Sequence, residues 1–173
     1  MNENLLFCQI SDSHFMNKGQ KVFDQIETHS QFARVIEYCK YLDPNPDFFI
    51  MSGDLINDNP DYYIDYIKLC NQLNKPYYLM MGNHDKRKDL KKSIINKDLI
   101  DKNGFINFTI DHNFVKIICL DTAIDGSIEG ELTESSLIWL EEELKKNLKK
   151  NTIIFMHHPP IKIGSVLFDH IKC

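Results

Sequence analysis

Apolar residues along this chain follow two rhythms. Short unbroken runs at Leu5–Ile10 (LLFCQI), Phe48–Ser52 (FFIMS), Tyr77–Met81 (YYLMM) and Thr152–Met156 (TIIFM) predict buried strands. Between them the apolar positions recur three and four apart. Phe32, Val35, Ile36, Cys39 and Leu42 make one such face, and Tyr62, Tyr66, Leu69 and Leu73 make another, which predicts amphipathic helices. DPNPD at 43–47 ends the first helix, and Asn59-Pro60 supplies an N-cap and a first-turn proline for the second. A lysine-rich helix is expected from Lys86 to Ile100. The runs at 105–110 and 114–120 flank Asp111-His112-Asn113, a hairpin signature. Leu132, Thr133 and Leu137 form a staple and N-cap for a last helix reaching Leu148.

Strands alternating with helices imply βαβ units and a largely parallel sheet, hence an α/β fold. The 173 residues suit one domain, 1–173, and 43% hydrophobic content supplies a core. A net charge of −5 argues against a general nucleic-acid binder, which needs a concentrated basic face. Met1-Asn2-Glu3-Asn4 has no positive n-region, and no run approaches the roughly 20 apolar residues of a membrane span. Cys8, Cys39, Cys70, Cys119 and Cys173 are scattered singly, which fits a reducing, cytoplasmic setting.

In open α/β sheets ligands gather beyond the carboxyl ends of the strands. The chemistry-bearing residues stand in that place. Asp12-Ser13-His14 follows the first strand, Gly53-Asp54 the second and Gly82-Asn83-His84-Asp85 the third, and His157-His158-Pro159-Pro160 follows the last. In an extended chain Asp12 and His14 project to one side, so the two could grip one ion. Each glycine lets the backbone turn sharply or approach a ligand closely. Carboxylate, imidazole and amide oxygen form a mixed donor set suited to Mn, Fe or Zn. DxH and GD alone are common by chance; the ordered set of four is the signal.

The order DxH, GD, GNHD, HHPP resembles the calcineurin-like metallophosphoesterases. It is most similar to their class III cyclic-nucleotide phosphodiesterase and glycerophosphodiesterase branch. The stretch from Leu120 to Leu144 supports that branch, and Asp85 argues against the protein phosphatases, which usually carry GNHE. The resemblance implies an αββα sandwich and two-metal, in-line hydrolysis of a small phosphodiester, either a 3',5'-cyclic nucleotide or a glycerophosphodiester. It implies that Asp12 and His14 bind the first of two divalent ions, Asp54 bridges both, and Asn83 and His157 bind the second. His84 would be the catalytic group, oriented by Asp85, with His158 behind the ligands.

The family pattern continues beyond HHPP to a strand carrying GHxH, which is absent from these 173 residues. On that ground the expectation is a sandwich lacking the last strands of its second sheet, with weakened metal binding. The other options are inactivity, or association with a second copy or a separate chain that covers the open edge. His170 or Cys173 standing in for the missing ligands is the less favoured alternative. Two readings stay open: a phosphodiesterase, and a catalytically impaired remnant that persists as a binding protein. Plainer readings hold elsewhere. His29 and His112 suit the surface, and Trp139 suits packing. The run at 86–92 is first a solvated helix face and only second an attractor of phosphate. Glu141–Lys145 and Glu142–Lys146 have the spacing of surface ion pairs.

Overall fold

A computed structural model describes residues 4–146, 148–165 and 169. Two three-stranded sheets carry the fold. In the first, β1 (Phe7–Ile10), β2 (Phe48–Met51) and β3 (Tyr77–Leu79) run parallel in the order β1-β2-β3. In the second, β4 (Phe108–Asp111) and β5 (Val115–Leu120) form an antiparallel hairpin, and β6 (Asn151–Met156) lies parallel to β5. Two sheets are what the αββα sandwich implied by the resemblance calls for. The first is wholly parallel, and the hairpin around Asp111-His112-Asn113 makes β4 and β5 of the second antiparallel, because a tight turn can only join antiparallel neighbours.

Aromatic pairs join the sheets. Phe7 meets Phe155 edge-on at 5.8 Å between centroids, and Tyr78 stacks on Phe108 at 5.7 Å. The central strands β2 and β5 are buried throughout, as continuous apolar runs covered on both faces should be. The run TIIFM departs from the expected burial. Residues 151–154 of β6 are exposed, with Ile153 at 39% and Ile154 at 40%, because β6 is an edge strand of its sheet.

Helix α1 (Thr28–Cys39) is capped by Glu27, which accepts from the Ser30 amide, and buries Phe32, Ile36 and Cys39 while Val35 faces solvent. Helix α2 (Tyr63–Cys70) sits between two short 3-10 turns, the first opened by the Asn59 cap and Pro60 as expected. Phe32 of α1 stacks on Tyr66 of α2 at 4.5 Å. Helix α3 (Arg87–Ser93) is shorter than its lysine pattern suggested. The chain turns extended at Ile94 and resumes only as a 3-10 turn at Lys97–Leu99.

Helix α4 (Glu134–Lys145) starts at Thr133, whose hydroxyl accepts from the Ser136 amide at 3.2 Å, and ends before the expected Leu148. It is fastened to β5 by a buried ion pair. Lys116 Nζ donates to Glu143 Oε2 at 2.7 Å and to the Glu143 carbonyl at 2.9 Å. Lys146 turns to Glu143 rather than to Glu142. Glu143 attracts it because a buried carboxylate needs compensating donors. Among the described residues no helix is long and apolar enough to cross a membrane.

Candidate metal centre

The carboxyl ends of β1, β2, β3 and β6 converge. Asp54, 4% exposed, lies at the focus. His14 Nε2 stands 3.5 Å from Asp54 Oδ2, and His157 Nε2 stands 3.6 Å from Asp54 Oδ1. Each carboxylate oxygen thus faces a different imidazole. Two sets of ligand atoms lie within 4.8 Å of one another, one from His14, Asp54 and His84, the other from Asp12, Asp54 and His157.

Local backbone makes this convergence. Asp12, His14 and Asp54 all have positive φ, 56°, 39° and 50°. Left-handed conformations are uncommon outside glycine and concentrate at functional sites. The backbone at Asp12 and His14 is thus not extended, and Asp12 falls in one of the two ligand groups and His14 in the other.

The two glycines are sterically required. A Cβ on Gly82 would fall 2.2 Å from the Asp54 amide nitrogen and 2.3 Å from its Oδ1. One on Gly53 would fall 2.5 Å from His157 Nδ1.

The donor set fits divalent cations. Hard carboxylate oxygens and borderline imidazole nitrogens are gathered around one shared carboxylate. The buried Nδ1 of His14 has no hydrogen-bond partner among the described residues. His157 Nδ1 lies 3.0 Å from the Ser52 carbonyl, which assigns its proton to Nδ1 and leaves Nε2 for an ion. Burial alone would raise the Asp54 pKa, but hydrogen bonding and charge from His157, the His84 amide and His14 together bring it below its ordinary value. Burial likewise opposes the protonation of His157, and Asp54 outweighs it, so that pKa is raised.

Asn83 occupies the turn after β3, half-buried between Gly82 and His84. The His84 amide donates to Asp54 Oδ1 at 2.9 Å, and its ring lies 4.7 Å from that of His14. Asp85 does not orient this imidazole. Its Oδ2 accepts from the Gly82 amide at 2.9 Å and the Leu55 amide at 3.2 Å, and its Oδ1 accepts from the Tyr63 hydroxyl at 2.8 Å. It knits the two loops together from behind. Burial raises its pKa to about 7, against those three hydrogen bonds.

The partner of His84 is Asp58, whose Oδ2 lies 3.0 Å from His84 Nδ1 and whose Oδ1 accepts from Lys86 Nζ at 3.0 Å. Asp58 was invisible as a motif member, although it follows Asp54 by four residues in the same strand-end loop. His158 is buried behind His157, with Nδ1 at 2.7 Å from the Thr122 hydroxyl. Burial and the neighbouring His157 pull its pKa down to about 4. His170 and Cys173, weighed as substitute ligands, lie outside the described residues.

The basic run after GNHD is mostly engaged. Arg87 grips buried Asp121 through Nε at 2.7 Å and Nη2 at 3.0 Å, and Lys92 pairs with Asp89. The Arg87 fork ties α3 to the loop after β5, linking the first sheet's active loop to the second sheet.

A family model described as calcineurin-like phosphoesterase matches residues 5–171. The chain belongs to this family. A probable glycerophosphodiester phosphodiesterase of Arcobacter nitrofigilis is 34% identical over 164 residues, covering 92% of this chain and 59% of that protein. A probable cyclic nucleotide phosphodiesterase of Moraxella catarrhalis is 32% identical over 182 residues, covering 97% and 62%. This member of the calcineurin-like family thus spans about three fifths of the length of these relatives. A dimetal phosphatase of Danio rerio, 14% identical, superposes with a TM-score of 0.70 over 91% of this chain and 70% of the other, and shows the same fold. Membership of the calcineurin-like family, with the ligand groups around Asp54, fits divalent metal ions.

Proposed function

We propose that the chain hydrolyses a small phosphodiester, a 3',5'-cyclic nucleotide or a glycerophosphodiester, with two divalent cations. Asp12, His14, Asp54, Asn83 and His157 would hold them, and Mn, Fe and Zn all suit such donors. One observation carries the reading: both oxygens of Asp54 are committed to opposite imidazoles, His14 on one side and His157 on the other. Cations bound there would neutralise phosphoryl charge in an in-line displacement. His84, with Nδ1 engaged by Asp58, keeps its other ring nitrogen to bond or protonate the leaving oxygen. Asp85 maintains the loop geometry through Gly82, Leu55 and Tyr63. The names of the relatives support both substrate classes. The four described cysteines are all free, which supports a reducing, cytoplasmic setting.

The test is turnover of bis-p-nitrophenyl phosphate with Mn(II), beside an Asp54→Ala control. Loss of the shared carboxylate should lower the rate by on the order of a thousandfold, about 4 kcal/mol of transition-state stabilisation. Equal background rates from both proteins would instead favour a binding remnant.

A further inference from the structure

Beside the first ligand group lies a cavity of about 360 Å³ lined by His14, Lys21, Val22, Phe23, Asn57, Asp58 and His84. Its volume is at the lower end of small-molecule sites, which run from about 300 to 1,000 Å³. One wall is a tight turn. Val22 and Ile26 exchange backbone hydrogen bonds at 2.8 and 3.0 Å, closing a tip of Phe23, Asp24 and Gln25. Phe23 and Asp24 both have positive φ, 51° and 56°, and the Phe23 side chain is 85% exposed. Isolated exposed apolar residues need no explanation. Here, however, two consecutive residues adopt a disfavoured backbone in a hydrogen-bonded tip, and the ring so presented borders the cavity that His14 and His84 share. Strain of this kind persists where the surroundings over-determine it, and is found at ligand-contacting sites.

We propose that this cavity is the subsite for the non-phosphate half of the substrate and that Phe23 stacks a nucleobase there. The proposal rests on the hydrolytic reading and deepens it, by selecting nucleoside phosphodiesters over glycerophosphodiesters. An aromatic face is sequence-tolerant towards bases, since each base has a π-surface of its own, whereas a glycerol group has none. Lys21, Asn57 and Asp58 also line the cavity and would supply polar groups for the sugar and the base edges. His14 and His84 line the same cavity as Phe23, so a phosphoryl group held at the two imidazoles would leave the attached group beside the ring.

The experiment is calorimetric titration of the full chain, with Mn(II), by adenosine 5'-monophosphate and by ribose 5-phosphate, which differ only in the base. Stacking on one ring corresponds to roughly a fivefold to hundredfold gain in affinity. The nucleotide should bind about tenfold more tightly, Phe23→Ala should bring the two within about twofold, and Phe23→Tyr should keep the difference. Equal affinities in the unaltered chain, absence of binding by both, or a Phe23→Ala chain weakened equally for both would overturn the subsite. Base-dependent binding without hydrolysis of any diester would uphold the subsite and refute the hydrolytic reading. Hydrolysis without base dependence would do the reverse.

Discussion

The two sheets contribute unequally to the centre. The first delivers Asp12, His14, Asp54 and His84 from the ends of three parallel strands, with β2 buried throughout. The second delivers His157, from β6, four residues of which are exposed. The group of His14, Asp54 and His84 belongs to the first sheet alone, whereas the group of Asp12, Asp54 and His157 requires both. One candidate group is therefore local to a sheet and the other depends on how two sheets are held. Disturbing their attachment should damage the second group before the first.

The largest expected effect tests that attachment. Arg87, with a side chain 14% exposed, is the forked partner of Asp121, whose side chain is wholly buried. Arg87→Ala would strand that carboxylate, at a cost of about 3–5 kcal/mol. Urea unfolding should show this, and a loss below about 1 kcal/mol would mean the amides of Ile106 and Ala123 suffice for Asp121.

Comparing His14→Ala with His157→Ala sharpens the division. Each should weaken one Mn(II) equivalent by on the order of a hundredfold and leave the other measurable by calorimetry, at least the cost of losing an outer-shell partner. Loss of both equivalents from either change would show that the two groups act as one site.

Much of this division was legible beforehand, and particular residues show why. Gly53 and Gly82 marked the loop tips because only glycine permits the approach to His157 and Asp54. The strand-end positions followed from βαβ alternation. Three features were not legible. A run such as TIIFM reads alike at the centre or at the edge of a sheet, because neighbours decide exposure. The bends at Asp12 and His14 place both residues at positive φ, which neither residue type demands. The bond between Asp58 and His84 spans 26 positions, so no local spacing announces it.

The second sheet's attachment to α4 makes a pH test. Glu143 titrates low in the fold because, against its burial, hydrogen bonds from Lys116 and Lys146 favour the charged form. Its stabilisation is complete above the unfolded value of 4.5 and disappears as pH falls through the lower folded value. Glu143→Gln should cost about 2 kcal/mol at pH 7, the worth of a hydrogen bond to a charged group. The gap between the two proteins should close below pH 4.5. A gap that stays constant on acidification would remove the carboxylate's charge from the explanation.

The smallest effect concerns the first sheet alone. Asp58→Asn keeps an oxygen facing His84 Nδ1 but removes the carboxylate's charge. The expected result is a roughly tenfold fall in kcat with KM unchanged, the lower reach of an acid–base contribution. Mn(II) stoichiometry should not move, because Asp58 lies outside both ligand groups. A change in KM alone would reassign Asp58 to the cavity wall it also lines, and unaltered kinetics would leave His84 positioned by its own backbone bond to Asp54.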